Sequence, residues 1–398
     1  MGSNSSRPTA TNSDRFGPST ILAFQPSTGL GGGIERYCEW LLTALEEGGV
    51  HVDRVALLRE GESLSIVRKL KFAFTAFRMA RRVRSNAPTG VLICHPNLAV
   101  PIVIMLRAAR LHSSERHVIF HGEDIWSVGP IRAMVFRRLN VRLLTVSAFS
   151  AGALTMVGPS NVLSPGLRRD WYACLTDTSQ LQRSTPSDPM QVLTVFRFDS
   201  ARDKGLPQLL DAIDQVRNSH ACSLTIAGSG ALPADLRERI ARLPWVSVVS
   251  KPSDAVLARL YADSDVFVLA TRTRVLPTAS GEGFGLVLIE AQLTGTPVVA
   301  PAHGGSDDAF IPGVTGLKPS DESASRLAEV LTHLAFDTDN RVRLGQNAKA
   351  WSQAAFDPDR RFRQVQTVIL GAPGLSRDHA LPIALTQAGT IFDSGSGT

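Results

Sequence analysis

Cysteine is scarce in this chain. Of 398 residues only Cys38, Cys94, Cys174 and Cys222 are cysteines, too far apart to make metal-ligand spacing. Reduced thiols in a cytoplasmic protein are the expectation. No apolar run reaches about 18 residues, which excludes a helix that spans a bilayer. The N-terminus is rich in Ser and Asn and lacks an apolar core, so no signal peptide is expected there. The first strand is not followed by a G-x-G-x-x-G spacing, and an NAD-binding fingerprint is rejected on that ground. No nucleic-acid reader motif is present, and the net charge of +6 is too small to make nucleic acid the expected partner.

What is present is ordinary globular composition: 43% hydrophobic, 20% charged, 32 Gly and 23 Pro. This length exceeds one ordinary core and suits two domains. The charge is uneven. Residues 1–185 hold 22 Lys and Arg against 13 Asp and Glu, a net of +9, whereas the remainder is net −3. A basic first half suggests contact with an anionic surface. The stretch 64–84 concentrates it, with Arg68, Lys69, Lys71, Arg78, Arg81, Arg82 and Arg84 interleaved with Phe72, Phe74, Phe77 and Met79. Two readings stay open for this helix: an interfacial helix on anionic lipid, or a solvated basic face over buried aromatics.

In chain order, "TILAFQP" (20–26) reads as a strand, and "STGLGGGIERYCEWLLTALEEGG" as a glycine loop feeding an amphipathic helix. Gly31, Gly32 and Gly33 let the backbone approach a ligand. Further strands are expected at 52–58, 90–94, 117–121 and 143–146. The strand in "VIFHGEDIW" delivers His121, Glu123 and Asp124 at its carboxyl end, where open α/β sheets bind ligands. A polar, turn-rich linker is expected over 170–189. A second run of strands and helices then begins at "MQVLTVFRF", ending on Arg197.

The chemistry concentrates in "ASGEGFGLVLIEAQLTGTPVVAP" (279–301). Gly283, Phe284 and Gly285 open a helix whose first free N–H groups, near Leu286, carry partial positive charge and suit a phosphate. Glu282 and Glu290 flank that site. Two carboxylates would repel the phosphate unless they grip hydroxyls, so a diphosphate with a sugar at each end, a nucleotide sugar, is the economical ligand. The plainer alternative is a cap and a solvated acidic face, but an acid inside so apolar a helix needs a partner.

This stretch resembles the signature of family 4 of the retaining glycosyltransferases: Glu282, the Gly283-Phe284-Gly285 turn, and Glu290 after seven intervening residues. The resemblance implies a GT-B fold, α/β with two Rossmann-like doubly wound domains facing a cleft and a last helix crossing back to the first domain. The implied division is a disordered tail at 1–19, an acceptor domain at 20–185, a nucleotide-sugar domain at 186–355, a crossover helix at 356–370 and a loose tail at 371–398. It also implies that Arg197 and Lys204 grip the diphosphate, with Arg202 a competitor for the second cation. His121 faces the acceptor. Gly228 and Ser229 line the nucleotide side, the turn at Lys251 cradles the base, and Glu290 bridges the ribose. Glu282 holds the transferred sugar.

Two fixed cations would stabilise the leaving phosphate, so no metal or other cofactor is expected. The implied reaction is sugar transfer from a nucleoside-diphosphate sugar to a hydroxyl. A polyprenol-linked saccharide or glycolipid is the expected acceptor, in bacterial cell-surface polysaccharide or glycolipid synthesis at the inner face of the membrane. The alternatives are a nucleotide-sugar-binding assembly protein without activity, or a GT-B sugar-nucleotide epimerase.

Overall fold

The computed structural model describes residues 20–29, 32–83, 90–111, 115–126, 128–181, 187–274 and 280–371. The first lobe is a six-stranded parallel sheet made of β1 (Thr20–Thr28), β2 (His51–Arg59), β3 (Gly90–Ile93), β4 (Glu115–Phe120), β5 (Arg142–Thr145) and β6 (Ser160–Val162). Their spatial order is β2-β1-β3-β4-β5-β6. The second sheet also has six strands, β7 (Met190–Val195), β8 (Cys222–Gly228), β9 (Val246–Ser250), β10 (Val266–Val268), β11 (Val298–Val299) and β12 (Gly316–Leu317), in the order β12-β11-β10-β7-β8-β9. Central strands such as β3 and β4 are almost wholly buried, as sheets covered on both faces require.

The first-lobe helices are α1 (Gly33–Glu47), α2 (Ile66–Arg82), α3 (Ala99–Ala108), the single turn α4 (Glu123–Trp126), α5 (Pro130–Leu139) and α6 (Ala148–Ala153). Then come α7 (Arg169–Thr178), α8 (Leu206–Val216), α9 (Ala234–Ala241), α10 (Asp254–Ala262), α11 (Leu286–Leu293), α12 (Ala324–Phe336), α13 (Thr338–Ala355) and α14 (Pro358–Leu370). In α1, Tyr37, Cys38, Leu41, Leu42 and Leu45 fall on one buried stripe, which explains why the helix lies against the sheet.

One expectation changes. The polar linker expected over 170–189 contains α7, which packs on α10 and α11 of the second lobe. Its apolar residues, Trp171, Tyr172 and Leu175, are spaced for one helix face, and that outweighs the polar run after it. After the signature the chain makes a short turn, Gly305–Asp308, and then β12, which pairs parallel with β11.

The last helix does return to the first lobe. Val365 and Ile369 of α14 are buried in one apolar cluster with Tyr37, Trp40, Leu41 and Leu45 of α1, and this cluster also takes in Phe267, Phe284 and Leu288 of the second lobe. Ion pairs add to the strap: Arg169 lies 2.5 Å from Asp359 and 2.8 Å from Glu47. The arrangement is GT-B: two doubly wound lobes, carboxyl ends of the strands facing one cleft, bridged by a returning helix. The expected tail at 1–19, the expected tail at 371–398 apart from Gly371, and Gly31 lie outside the described residues.

Candidate active site

A cavity of about 360 Å³ lies between the lobes. Gly33, Tyr37, His95 and His121 form its first-lobe wall, and Lys204 with the turn from Gly281 to Leu286 forms the other. Glu282 sits on this turn with its carboxylate mostly buried. Its Oε2 accepts hydrogen bonds from Lys204 Nζ at 2.8 Å and Thr271 Oγ1 at 2.7 Å. Burial alone would raise this carboxyl, but the Lys204 charge, with the Thr271 hydroxyl and the Phe284 N–H, holds it below the usual carboxylate range.

Lys204 reaches this position because of its neighbour. Gly205 caps α8 at φ +70°, and a Cβ there would overlap the Ala270 carbonyl. The tight approach brings the start of α8 against the end of β10, so Lys204 and Thr271 meet over Glu282. Arg202, the competing cation, instead pairs with Asp235 on α9.

Arg197 leaves the end of β7 half-exposed, 3.6 Å from Asp199. It faces Gly32 across the cleft: a Cβ on Gly32 would lie 3.8 Å from its Nη1. Gly228 and Ser229 support this loop through the backbone. A Cβ at Gly228 would overlap the Phe196 carbonyl, and Ser229 O accepts from Phe198 N at 2.8 Å. Neither lines the interlobe cavity. Lys251 adopts φ +49° in an exposed turn, where its N–H donates to Gly228 O at 2.6 Å.

The Gly283 turn touches the opposite lobe. A Cβ at Gly283 would overlap the His121 carbonyl, and its own carbonyl abuts Gly305. Asp308 Oδ2 accepts from Ala148 N, at the start of α6, at 2.5 Å. Phe284 directs its ring into the shared core, 6.1 Å from Phe356, so only its backbone faces the site. Gly285, at φ +87°, caps α11 and leaves the Leu286 N–H end of the helix toward the cavity.

His121 follows β4 as expected, but its ring is held within its own lobe. Nε2 lies 2.8 Å from the Cys94 carbonyl, which can only accept, so that nitrogen carries a proton. Burial would lower the imidazole pKa; contacts with Cys38, Asp124 and the Cys94 carbonyl together raise it. Asp124 fixes the loop by accepting from the N–H of His121 and of Gly122, both at 2.9 Å. The His95 ring stacks near His121, with centroids 6.3 Å apart.

Glu290 lies one turn into α11 with 2% exposure. Its oxygens are already occupied: Tyr261 OH donates at 2.7 Å, Trp171 Nε1 at 3.1 Å and Arg36 Nη1 at 3.4 Å. A smaller cavity of about 190 Å³ opens beside it, lined in part by Arg36, Arg168, Trp171, Asp254 and Leu286. Leu286 borders both cavities, so they adjoin at the start of α11. Among the described residues, no cluster of His, Cys, Asp or Glu is arranged to hold a metal ion.

Residues 177–351 match the family model described as glycosyl transferases group 1. In that stretch the chain is similar to that group. A GDP-mannose-dependent alpha-(1-6)-phosphatidylinositol monomannoside mannosyltransferase of Mycobacterium tuberculosis is 25% identical over 275 residues, 64% of this chain and 70% of the relative. Among solved structures, the Anabaena protein HepE in complex with UDP and glucose superposes with a TM-score of 0.65 at 19% identity, covering 88% of this chain and 99% of that one. A glycosyltransferase from Rickettsia africae gives 0.71 at 16%, covering 89% and 98%. These two show the fold. The matched residues include Lys204 and the turn from Gly281 to Leu286, the second-lobe wall of the cleft just described.

Tyr261, Trp171, Arg36 and Thr271 are site residues that sequence reasoning missed. Thr271 stands just past β10, and its place at a strand's carboxyl end was a usable signal. Trp171 and Arg36 lie 119 and 254 positions from Glu290, and no local pattern connects them to it.

Proposed function

We propose that this glycosyltransferase moves a hexose from a nucleoside-diphosphate sugar to a hydroxyl with retention of anomeric configuration. The acceptor is a lipid-linked saccharide or glycolipid. The observation that carries the reading is Glu282, held as a carboxylate by Lys204 at the cavity wall opposite His121. Arg197 and Lys204 bind the diphosphate with the N–H end of α11, and Gly32 and Gly33 let it approach from the first lobe. Glu282 accepts from a hydroxyl of the departing sugar and offsets the positive charge that builds on it. Glu290 takes the ribose hydroxyls in exchange for Trp171 and Arg36.

The bond from the anomeric carbon to the phosphate oxygen breaks, and the acceptor oxygen bonds to that carbon from the same face. The acceptor proton passes to the departing phosphate. Fixed cations neutralise the growing charge, a contribution of about 2–4 kcal/mol for each well-placed group. Closure around the interlobe contact at Gly283 excludes water that would hydrolyse the donor. The lipid-acceptor part is supported by the basic first lobe and by the relative that acts on a phosphatidylinositol mannoside. Among the described residues no helix is long and apolar enough to cross a membrane.

The test is a thermal-shift panel of UDP, GDP and ADP followed by assay of nucleotide release from the matching sugar donors. One base should stabilise the protein, and its sugar nucleotide should be consumed only when acceptor is present, giving a product of unchanged anomeric configuration. Isomerised donor without acceptor, or an inverted product, would overturn the reading.

A further inference from the structure

Helix α2 carries two apolar faces. One, Phe72, Ala76 and Ala80, is buried against its own lobe. The other, Ile66, Leu70 and Phe74, repeats every four residues and is open to solvent, at 76%, 65% and 61% exposure. Val67 and Leu64 extend this ridge at 62% and 56%. A surface helix needs one apolar stripe to fold; a second has no packing purpose within the chain.

The charges beside the ridge have one sign. Lys69, Lys71, Arg78, Arg81 and Arg82 are all exposed, and no Asp or Glu occurs anywhere in α2. The Arg78 guanidinium lies 5.8 Å over the Phe74 ring, and that of Arg81 6.0 Å over Phe77, so cations cluster at the C-terminal end of the ridge. Arg68 is not part of this set: it turns back to Glu62 at 2.8 Å and to the Leu57 carbonyl. The adjoining helix α3 exposes a similar pair, Val100 and Ile104, and also lacks acids.

We infer that the α2 ridge docks on an anionic lipid surface, with Ile66, Leu70 and Phe74 entering below the headgroups and the five cations meeting lipid phosphates. The pairing of an apolar ridge with exclusively positive neighbours selects this occupant over a second copy of the chain, because two such faces would repel each other. The inference rests on the lipid-acceptor part of the proposed function, and it adds the face by which the chain holds the membrane. Binding then places the first-lobe side of the cleft near an acceptor whose lipid stays in the bilayer.

The experiment is sedimentation of the full chain with vesicles of phosphatidylcholine alone or mixed with phosphatidylglycerol. Wild type should bind the mixed vesicles and release as salt rises. Leu70→Ser with Phe74→Ser should weaken binding at least about tenfold through lost apolar burial. Arg78→Gln, Arg81→Gln and Arg82→Gln together should weaken it roughly 100-fold. These positions are exposed, so melting temperature and nucleotide-induced stabilisation should stay at wild-type values in both variants.

Equal binding to neutral and anionic vesicles would overturn the inference, as would variants that sediment like wild type. A dimer in solution that Leu70→Ser with Phe74→Ser dissociates would assign the ridge to a second copy and likewise overturn it. Nucleotide stabilisation without vesicle binding would sink the docking face alone. Vesicle binding without nucleotide stabilisation would sink the transfer reading instead.

Discussion

Lys204 Nζ lies 2.8 Å from Glu282 Oε2, so one of the two cations proposed to draw charge off the leaving phosphate also holds the acid proposed to face the sugar. In the proposed reaction the pair couples the two halves of the transfer. It also fixes the protonation state of Glu282, because burial works against the charge and Lys204 restores it.

Replacing Glu282 with Gln is expected to reduce transfer by about 2–4 kcal/mol in barrier, seen in kcat rather than in nucleotide affinity. Lys204→Met removes a phosphate contact and strips Glu282 of its cation. Burial then dominates, and the acidic limb of the pH–rate profile should move upward. A profile unchanged in Lys204→Met would show that the pair does not govern the acid.

Metal removal is a separate check. With Arg197 and Lys204 serving the diphosphate, saturating chelator should leave turnover unchanged, whereas Arg197→Ala should slow it by about 2–4 kcal/mol. Loss of activity in chelator, restored by a divalent cation, would contradict the assignment.

Gly283 sits against the His121 carbonyl of the other lobe, with Gly122 Cα beside it. Gly283→Ala is expected to wedge the lobes apart. Small-angle scattering should report a larger radius of gyration, and kcat/KM should fall about 100-fold, since angstrom-scale misplacement costs that much. A compact, fully active variant would show that the lobes need not meet here.

His117 tests the core of the first lobe. It is fully buried on β4, and neither ring nitrogen has a hydrogen-bonding partner among the described residues. Burial, with help from Arg142, lowers its pKa to about 4. The unfolded chain takes up a proton near pH 6.5 and the folded chain only near 4, so between those values the unfolded state binds more protons. Stability should therefore be full above pH 6.5 and fall by about 3 kcal/mol as pH drops to 4. Denaturant titrations of His117→Leu should lack that slope; an identical slope would place it elsewhere.

Trp171 donates to Glu290, the acid assigned to the ribose. Nucleotide binding should exchange that bond and change tryptophan emission, and Trp171→Phe should abolish the change while preserving binding within about tenfold. Emission that ignores saturating nucleotide would mean that Glu290 keeps its protein partners.

The sequence by itself determined the two-lobed α/β plan, because alternating apolar strands and amphipathic helices are local patterns. It also marked Glu282, the glycine turn and Glu290, because glycines in a row before an apolar helix that carries an acid are a local pattern. It located Arg197, whose place at a strand end is a local fact. The partners of those residues are not local. Only the tertiary structure decided that Lys204 rather than Arg202 reaches Glu282, since this depends on Gly205 packing against Ala270. Likewise α7, hidden in a polar stretch, became a helix because Trp171 and Leu175 gain their burial in an apolar cluster drawn from both lobes, far away in sequence. The solvent-facing ridge of α2 was equally undecided in the sequence, where Phe72 and Phe74 look alike; two positions apart on a helix, one faces the core and the other faces water.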